Sequence, residues 1–172
     1  MVRRAATLVV LCLSVMGLTA QSAWAANVHF KKGSPVFTDK GLFLNATGSL
    51  TGLGNGDVVV GLTATGQPTA TCTNPAGQTQ PAGQNPVEVT LGGVEALPAA
   101  DIKNGNLSFN VNTAGPATPV PGAPDCPNSH WREDFSDVIF AGHSATITVY
   151  QPCTDTTIPI DCTAVLTQTF SL

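Results

Sequence analysis

The segment Leu107-Ser108-Phe109-Asn110-Val111-Asn112 alternates apolar and polar residues without a break. In a β-strand successive side chains point to opposite faces, so Leu107, Phe109 and Val111 share one face and a wholly polar set shares the other. The same period-two pattern recurs at residues 87–91, at residues 42–47 running on to Leu50, and in Val58, Val60, Leu62 and Ala64. Ile147 and Val149 alternate with Thr146, Thr148 and Tyr150, and Leu166, Phe170 and Leu172 share a face at the C-terminal end. Val28, Phe30 and then Val36 suggest a short, broken first strand. Residues 135–140 are apolar on both faces, as in a central strand. No run keeps helical spacing over ten or more residues. Strands with one polar face each are what two packed antiparallel sheets need. The expected fold is all-β, an immunoglobulin-like antiparallel β-sandwich of 7–8 strands, with a jelly roll or small barrel as the alternative.

Turn chemistry supports this. Asn55-Gly56 lies between two alternating runs and is expected to form a type I′ hairpin turn, and Asn104-Gly105 a second turn opening the Leu107 strand. Residues 67–86 hold no aliphatic side chain larger than Ala, and residues 113–130 carry five Pro. Both stretches read as long loops, of the kind that is usually functional or disordered.

Composition excludes several classes. With Lys+Arg at 7 and Asp+Glu at 11, the chain is not a basic nucleic-acid binder. Its hydrophobic fraction of 42% is too high for a disordered chain, and its charged fraction of 10% is too low for a coiled coil. Arg3 and Arg4 precede an apolar run centred on Leu8-Val9-Val10-Leu11-Cys12-Leu13, and Ala23-Trp24-Ala25 follows. That order reads as a secretory signal cut after Ala25 or Ala26. The apolar run is shorter than the roughly 20 residues a bilayer span needs. Residues 5–7 do not support the twin-arginine route, and Cys12 lacks the small residue that precedes a lipidated cysteine. Residues 1–25 are therefore expected to be a cleaved signal peptide, and residues 26–172 a single secreted or periplasmic β-sandwich domain. No second apolar run has spanning length. The 147 remaining residues carry a formal charge of −6.

Cys72, Cys126, Cys153 and Cys162 remain, an even count that reads as a disulfide framework in an exported chain. Cys153 and Cys162 bracket a polar connection between two strand-like runs, which suits a staple across a hairpin neck. Cys72 and Cys126 each fall in one of the long polar stretches. The expected pairs are Cys72–Cys126 and Cys153–Cys162, and the first would bring both loops to one end of the sandwich. No two of these Cys have the close spacing of a zinc site.

Catalytic patterns are missing from the sequence. His29, His130 and His143 form no zinc-binding spacing, no Gly-x-Ser-x-Gly elbow occurs, and no Asp-x-Asp-x-Asp-Gly calcium run is present. Glu133, Asp134 and Asp137 cluster beside a strand, where charges usually form a solvated edge. No cofactor is implied. The densest chemistry is Asn128-Ser129-His130-Trp131-Arg132-Glu133, with the only Trp and the only Arg of residues 26–172. Trp and Arg dominate binding hot spots, so His130, Trp131 and Arg132 are the candidate binding residues. The competing reading places Trp131 as a cap on the core, with Arg132 paired to a nearby acid. Asn45-Ala46-Thr47 and Asn106-Leu107-Ser108 match the glycosylation sequon but lie in strands of a chain whose signal looks bacterial.

Asn27-Val28-His29-Phe30, Leu50-Thr51-Gly52-Leu53-Gly54-Asn55-Gly56-Asp57-Val58, Cys72-Thr73-Asn74-Pro75, Ile102-Lys103-Asn104-Gly105-Asn106 and Cys126-Pro127-Asn128 resemble motifs of a group of small exported bacterial proteins of unknown function. The resemblance implies no activity, and Cys153 and Cys162 stand outside its motifs. The expected role is structural or binding, at the cell exterior, toward a protein or a glycan. The alternatives are a surface-assembly subunit that adds residues 26–38 to a neighbour's sheet, or a small secreted hydrolase.

Overall fold

The computed structural model describes residues 27–81, 87–119, 125–154 and 161–172; the segment read as an export signal lies outside them. The strands are β1 His29–Phe30, β2 Val36–Asp39, β3 Leu44–Thr51, β4 Asp57–Thr73, β5 Thr79–Pro81, β6 Val89–Leu97, β7 Leu107–Asn112, β8 Arg132–Ile139, β9 Ser144–Cys153 and β10 Cys162–Ser171. Every pairing among the described strands is antiparallel. The expected all-β sandwich is the fold observed.

The smaller sheet is built on β3. β7 runs along one side of it, and β1 and β2 follow each other along the other. The broken first strand is thus paired within its own sheet. Its break is held by Ser34, whose Oγ accepts from Ser49 N at 3.0 Å.

The larger sheet is built on β4, which is 17 residues long. β8 and β9 lie end to end along one side of it and β5 and β6 along the other, with β10 outside β9. Here the structure corrects the sequence reading. Residues 67–73 are not a loop but the second half of β4, and Cys72 lies in a strand. The period-two pattern continues there in small residues: Pro68, Ala70 and Cys72 are buried, while Thr69, Thr71 and Thr73 are more open. Pro68 is tolerated because its partner Val138 turns its own N–H away, to Gly41 O at 2.9 Å. The two residues therefore form a non-hydrogen-bonded pair, and no ladder donor to β8 is missing. β8 is likewise not central. It pairs with β4 alone among the described strands, and Ile139 stays exposed.

The inner faces of the two sheets supply one core, in which Leu44, Leu50, Leu62, Ile147, Val149 and Phe140 are almost fully buried. Burying each such side chain contributes about 1.5–3 kcal/mol. β7 shows the alternation without exception, with Leu107, Phe109 and Val111 inside. One edge of the sandwich is closed by Phe170 of β10, whose ring sits 5.7 Å from Phe30 and 5.3 Å from Phe37. At the other edge β6 crosses the end of β7, where Ala114 N donates to Gly92 O at 2.8 Å.

The two turn expectations part ways. Asn104 and Gly105 both have positive φ, and Lys103 and Asn106 exchange backbone hydrogen bonds across them, as a type I′ turn requires. Asn55 and Gly56 do not have positive φ, and no hairpin forms there. β3 and β4 belong to different sheets, so the turn has no pair of strands to join. The crossover is instead held by the buried Gln151 of β9. Its Oε1 accepts from Gly54 N at 2.8 Å, and its Nε2 donates to Gly54 O at 3.0 Å and Gly56 O at 2.8 Å.

Cys72–Cys126 and Cys153–Cys162 are both bonded, with Cα atoms 5.6 and 4.3 Å apart. Cys153 and Cys162 are direct cross-strand partners at the β9–β10 neck. Neither bond crosses between the two sheets, unlike the inter-sheet bond of antibody domains. Two disulfides fit an oxidising environment. No helix among the described residues is long and apolar enough to cross a membrane.

Candidate functional site

The far half of β4 carries the site, because it projects past β6 and β9 and takes its neighbours from β5 and β8. The β4–β5 connection is built on Asn74, whose Oδ1 accepts from Ala76 N at 3.0 Å and Gln78 N at 2.9 Å. Gly77 supplies the positive φ the turn needs. Opposite it, Asn128 does the same for the segment leading into β8. Its Oδ1 accepts from His130 N and its backbone O from Trp131 N, each at 3.0 Å. Such Asx turns fix a short loop through its own side chain. Each Asn lies two residues after a bonded cysteine, Cys72 or Cys126, so the disulfide sets one turn beside the other.

Between the turns lies a groove of about 350 Å³ lined by Thr73, Asn74, Ser129, His130, Trp131 and Arg132, among others. His130, Trp131 and Arg132 thus meet the β4–β5 turn, as expected if the two cysteine-bearing segments converge. The reading of Trp131 as a core cap is corrected: the indole is half-buried and stands outside the hydrophobic core. The core gets its rings from Phe30, Phe37, Phe109, Phe140 and Phe170. Arg132 does pair with an acid, its Nε lying 3.1 Å from the Asp134 carboxylate while the guanidinium stays largely exposed.

The carboxylate cluster does not converge. Glu133 and Asp134 are consecutive in β8 and point to opposite faces. Asp137 lies further along, opposite Thr69. The Thr73 hydroxyl, in register with Arg132, donates to Asp134 and holds its carboxyl below the ordinary value of 3.8; Arg132 acts in the same direction. A depressed carboxylate pKa means that the interaction is complete above pH 3.8 and is lost as pH falls through the folded-state value. Titration of Asp134 by carboxyl NMR is expected to give a midpoint below 3.8, and both Thr73→Val and Arg132→Ala should raise it. An unmoved midpoint in both variants would refute this assignment.

His29 and His143 lie away from the groove. His143 Nδ1 stands 3.1 Å from Glu88 Oε2, tying the β8–β9 turn to the segment before β6. Among the described residues no three His, Cys, Asp or Glu side chains are grouped to hold a metal ion. Sequence reasoning missed the register of Thr73 with Arg132 and the participation of Asn74. The spacing Cys-x-Asn, present after both Cys72 and Cys126, is the signal from which the paired turns could have been read.

The chain matches no protein-family model, no curated protein sequence and no solved structure.

Proposed function

We propose that this is an exported, non-catalytic β-sandwich with a binding role at the cell exterior, recognising its partner through the groove at Trp131. The observation that carries the reading is the disulfide-clamped groove, which gathers the only Trp and the only Arg of the described residues onto two self-braced turns. A clamped groove loses little conformational freedom on binding, which favours affinity. Trp131 offers a flat apolar surface, with the His130 imidazole, the Ser129 hydroxyl and the exposed Arg132 guanidinium as polar contacts beside it. The apolar run at residues 8–13, the Ala-Trp-Ala motif and the two disulfides support export.

Trp131→Ala separates this reading from a structural role. Because Trp131 lies outside the core, the substitution is expected to change unfolding free energy by no more than about 1 kcal/mol. The same variant should no longer retain the envelope proteins of the source cell that the wild type captures. Equal retention by variant and wild type would sink the proposal, as would a variant that fails to fold.

A further inference from the structure

Glycines inside strands weaken them, and each needs a reason. Most here have one. A Cβ on Gly66 would press on Val138, one on Gly48 would enter the Phe109 ring, and one on Gly93 would collide with the Asn112 carbonyl. Gly61 and Gly92 have none. Neither has positive φ, and a Cβ would meet nothing closer than 3.6 Å at Gly61 or 3.9 Å at Gly92. The fold would accept a side chain at both positions.

These two glycines sit diagonally across β4 and β6 on the outer face of the larger sheet, because Gly61 pairs with Val94 and Thr63 with Gly92. On β9 and β10 this face carries hydroxyls, with Thr146 and Thr169 hydrogen-bonded at 2.8 Å and Thr148 and Thr167 at 3.4 Å. The glycines leave a notch of about 190 Å³. Its floor is Gly61 and Gly92, and its walls are Thr63, Thr148, Val94 and Tyr150, the only Tyr of the chain.

We propose that the notch seats one ring of a neutral polysaccharide. None of the six residues carries a charge, so a carboxylated or sulfated glycan gains nothing there. Tyr150 and Val94 present apolar surface to the CH face of a sugar ring. The Thr63 and Thr148 hydroxyls both donate and accept, which matches sugar hydroxyls and would be wasted on a purely apolar ligand. The volume falls below the roughly 300–1,000 Å³ of pockets for drug-sized ligands, in keeping with a single ring of a longer chain. This site is separate from the Trp131 groove and does not depend on it.

The experiment is an NMR titration that follows the ring signals of Tyr150 as maltohexaose, cellohexaose and chitohexaose are added, with a heparin hexasaccharide as the charged control. At least one neutral oligosaccharide is expected to shift the Tyr150 signals, and heparin is not. Gly92→Thr fills the notch and should weaken that binding about tenfold or more, while the unfolding temperature stays the same or rises. Tyr150→Phe should keep binding, read on neighbouring amides, and Tyr150→Ala should lose it. Trp131→Ala should bind these sugars as the wild type does. The proposal is overturned if no neutral sugar shifts Tyr150, if heparin alone does, or if Gly92→Thr binds undiminished. It is equally overturned if Gly92→Thr lowers stability, or if light scattering shows a dimer that Gly92→Thr abolishes, since the notch would then serve the fold or a second copy.

Discussion

Gly93→Val is expected to be among the most destabilising single substitutions in the sandwich. At this point β6 passes over the end of β7, and a Cβ on residue 93 would overlap the Asn112 carbonyl oxygen and crowd the Thr113 Cα. The obstacle is the backbone of Asn112 and Thr113, so no rotamer change relieves it. The crossing is itself fixed by the hydrogen bond from Ala114 N to Gly92 O at 2.8 Å and by Glu95 Oε2, which accepts from Asn110 N at 2.6 Å. Moving β7 away would also disturb Leu107, Phe109 and Val111, which fill the core from that strand. Overpacking costs typically about 1–3 kcal/mol, and an immovable neighbour puts Gly93→Val at the upper end. For a chain of this size a loss of about 3 kcal/mol lowers the unfolding temperature by roughly 6–12 °C. Gly92→Ala is the matched control: the adjacent glycine has open space around its Cβ position, and Ala there should be neutral or slightly stabilising. Calorimetry on both variants decides the matter. If Gly93→Val melted with the wild type, the β6–β7 crossing would not be closing the sandwich.

The strand that Gly93 crosses was legible in the sequence, and the crossing was not. In β7 every inward residue is large and apolar and every outward residue is polar, so pattern and burial coincide. Asn104-Gly105 was legible for the same reason, since the turn and the residues it joins are neighbours in the chain. Residues 67–73 keep the alternation but fill the inward positions with Pro68, Ala70 and Cys72, where hydrophobicity is weak and the bulk comes from Val138, Phe140 and a disulfide. Asn55-Gly56 carried the hairpin signature, yet which strands pair is decided by the core, and β3 and β4 face each other from opposite sheets. The residue that braces this crossover, Gln151, is 97 positions from Gly54. The candidate site follows the same division. Its residue types, Trp131, Arg132 and two Cys-x-Asn turns, stand in the sequence. The register that sets Thr73 opposite Arg132, and the diagonal that opens the notch beside Tyr150, arise only when the strands assemble.

Replacing Cys72 and Cys126 together with Ser is expected to cost more than removing the other disulfide. The two cysteines are 54 positions apart, and the loop they close contains β5, β6 and β7. Constraining an unfolded chain over that length contributes about 4 kcal/mol in the chain-entropy model. Cys153 and Cys162 are 9 positions apart, for which the same model gives roughly 3 kcal/mol. The local consequences differ as well. Without the first bond the Asn128 turn is no longer held beside the Asn74 turn, and the groove at Trp131 opens, although β8 keeps its ladder to β4. Hydrogen exchange should therefore speed up at the Trp131 and His130 amides beyond the global loss of stability, while the amides of Ile147 and Val149 follow the global change alone. Without the second bond the disturbance should stay at the β9–β10 neck, with the Trp131 region as protected as the lowered stability allows. Urea unfolding of the two double variants tests the ranking. A smaller loss for Cys72/Cys126 than for Cys153/Cys162 would mean that the unfolded chain is already constrained between β4 and β8, and that the tether acts on the groove and not on the fold.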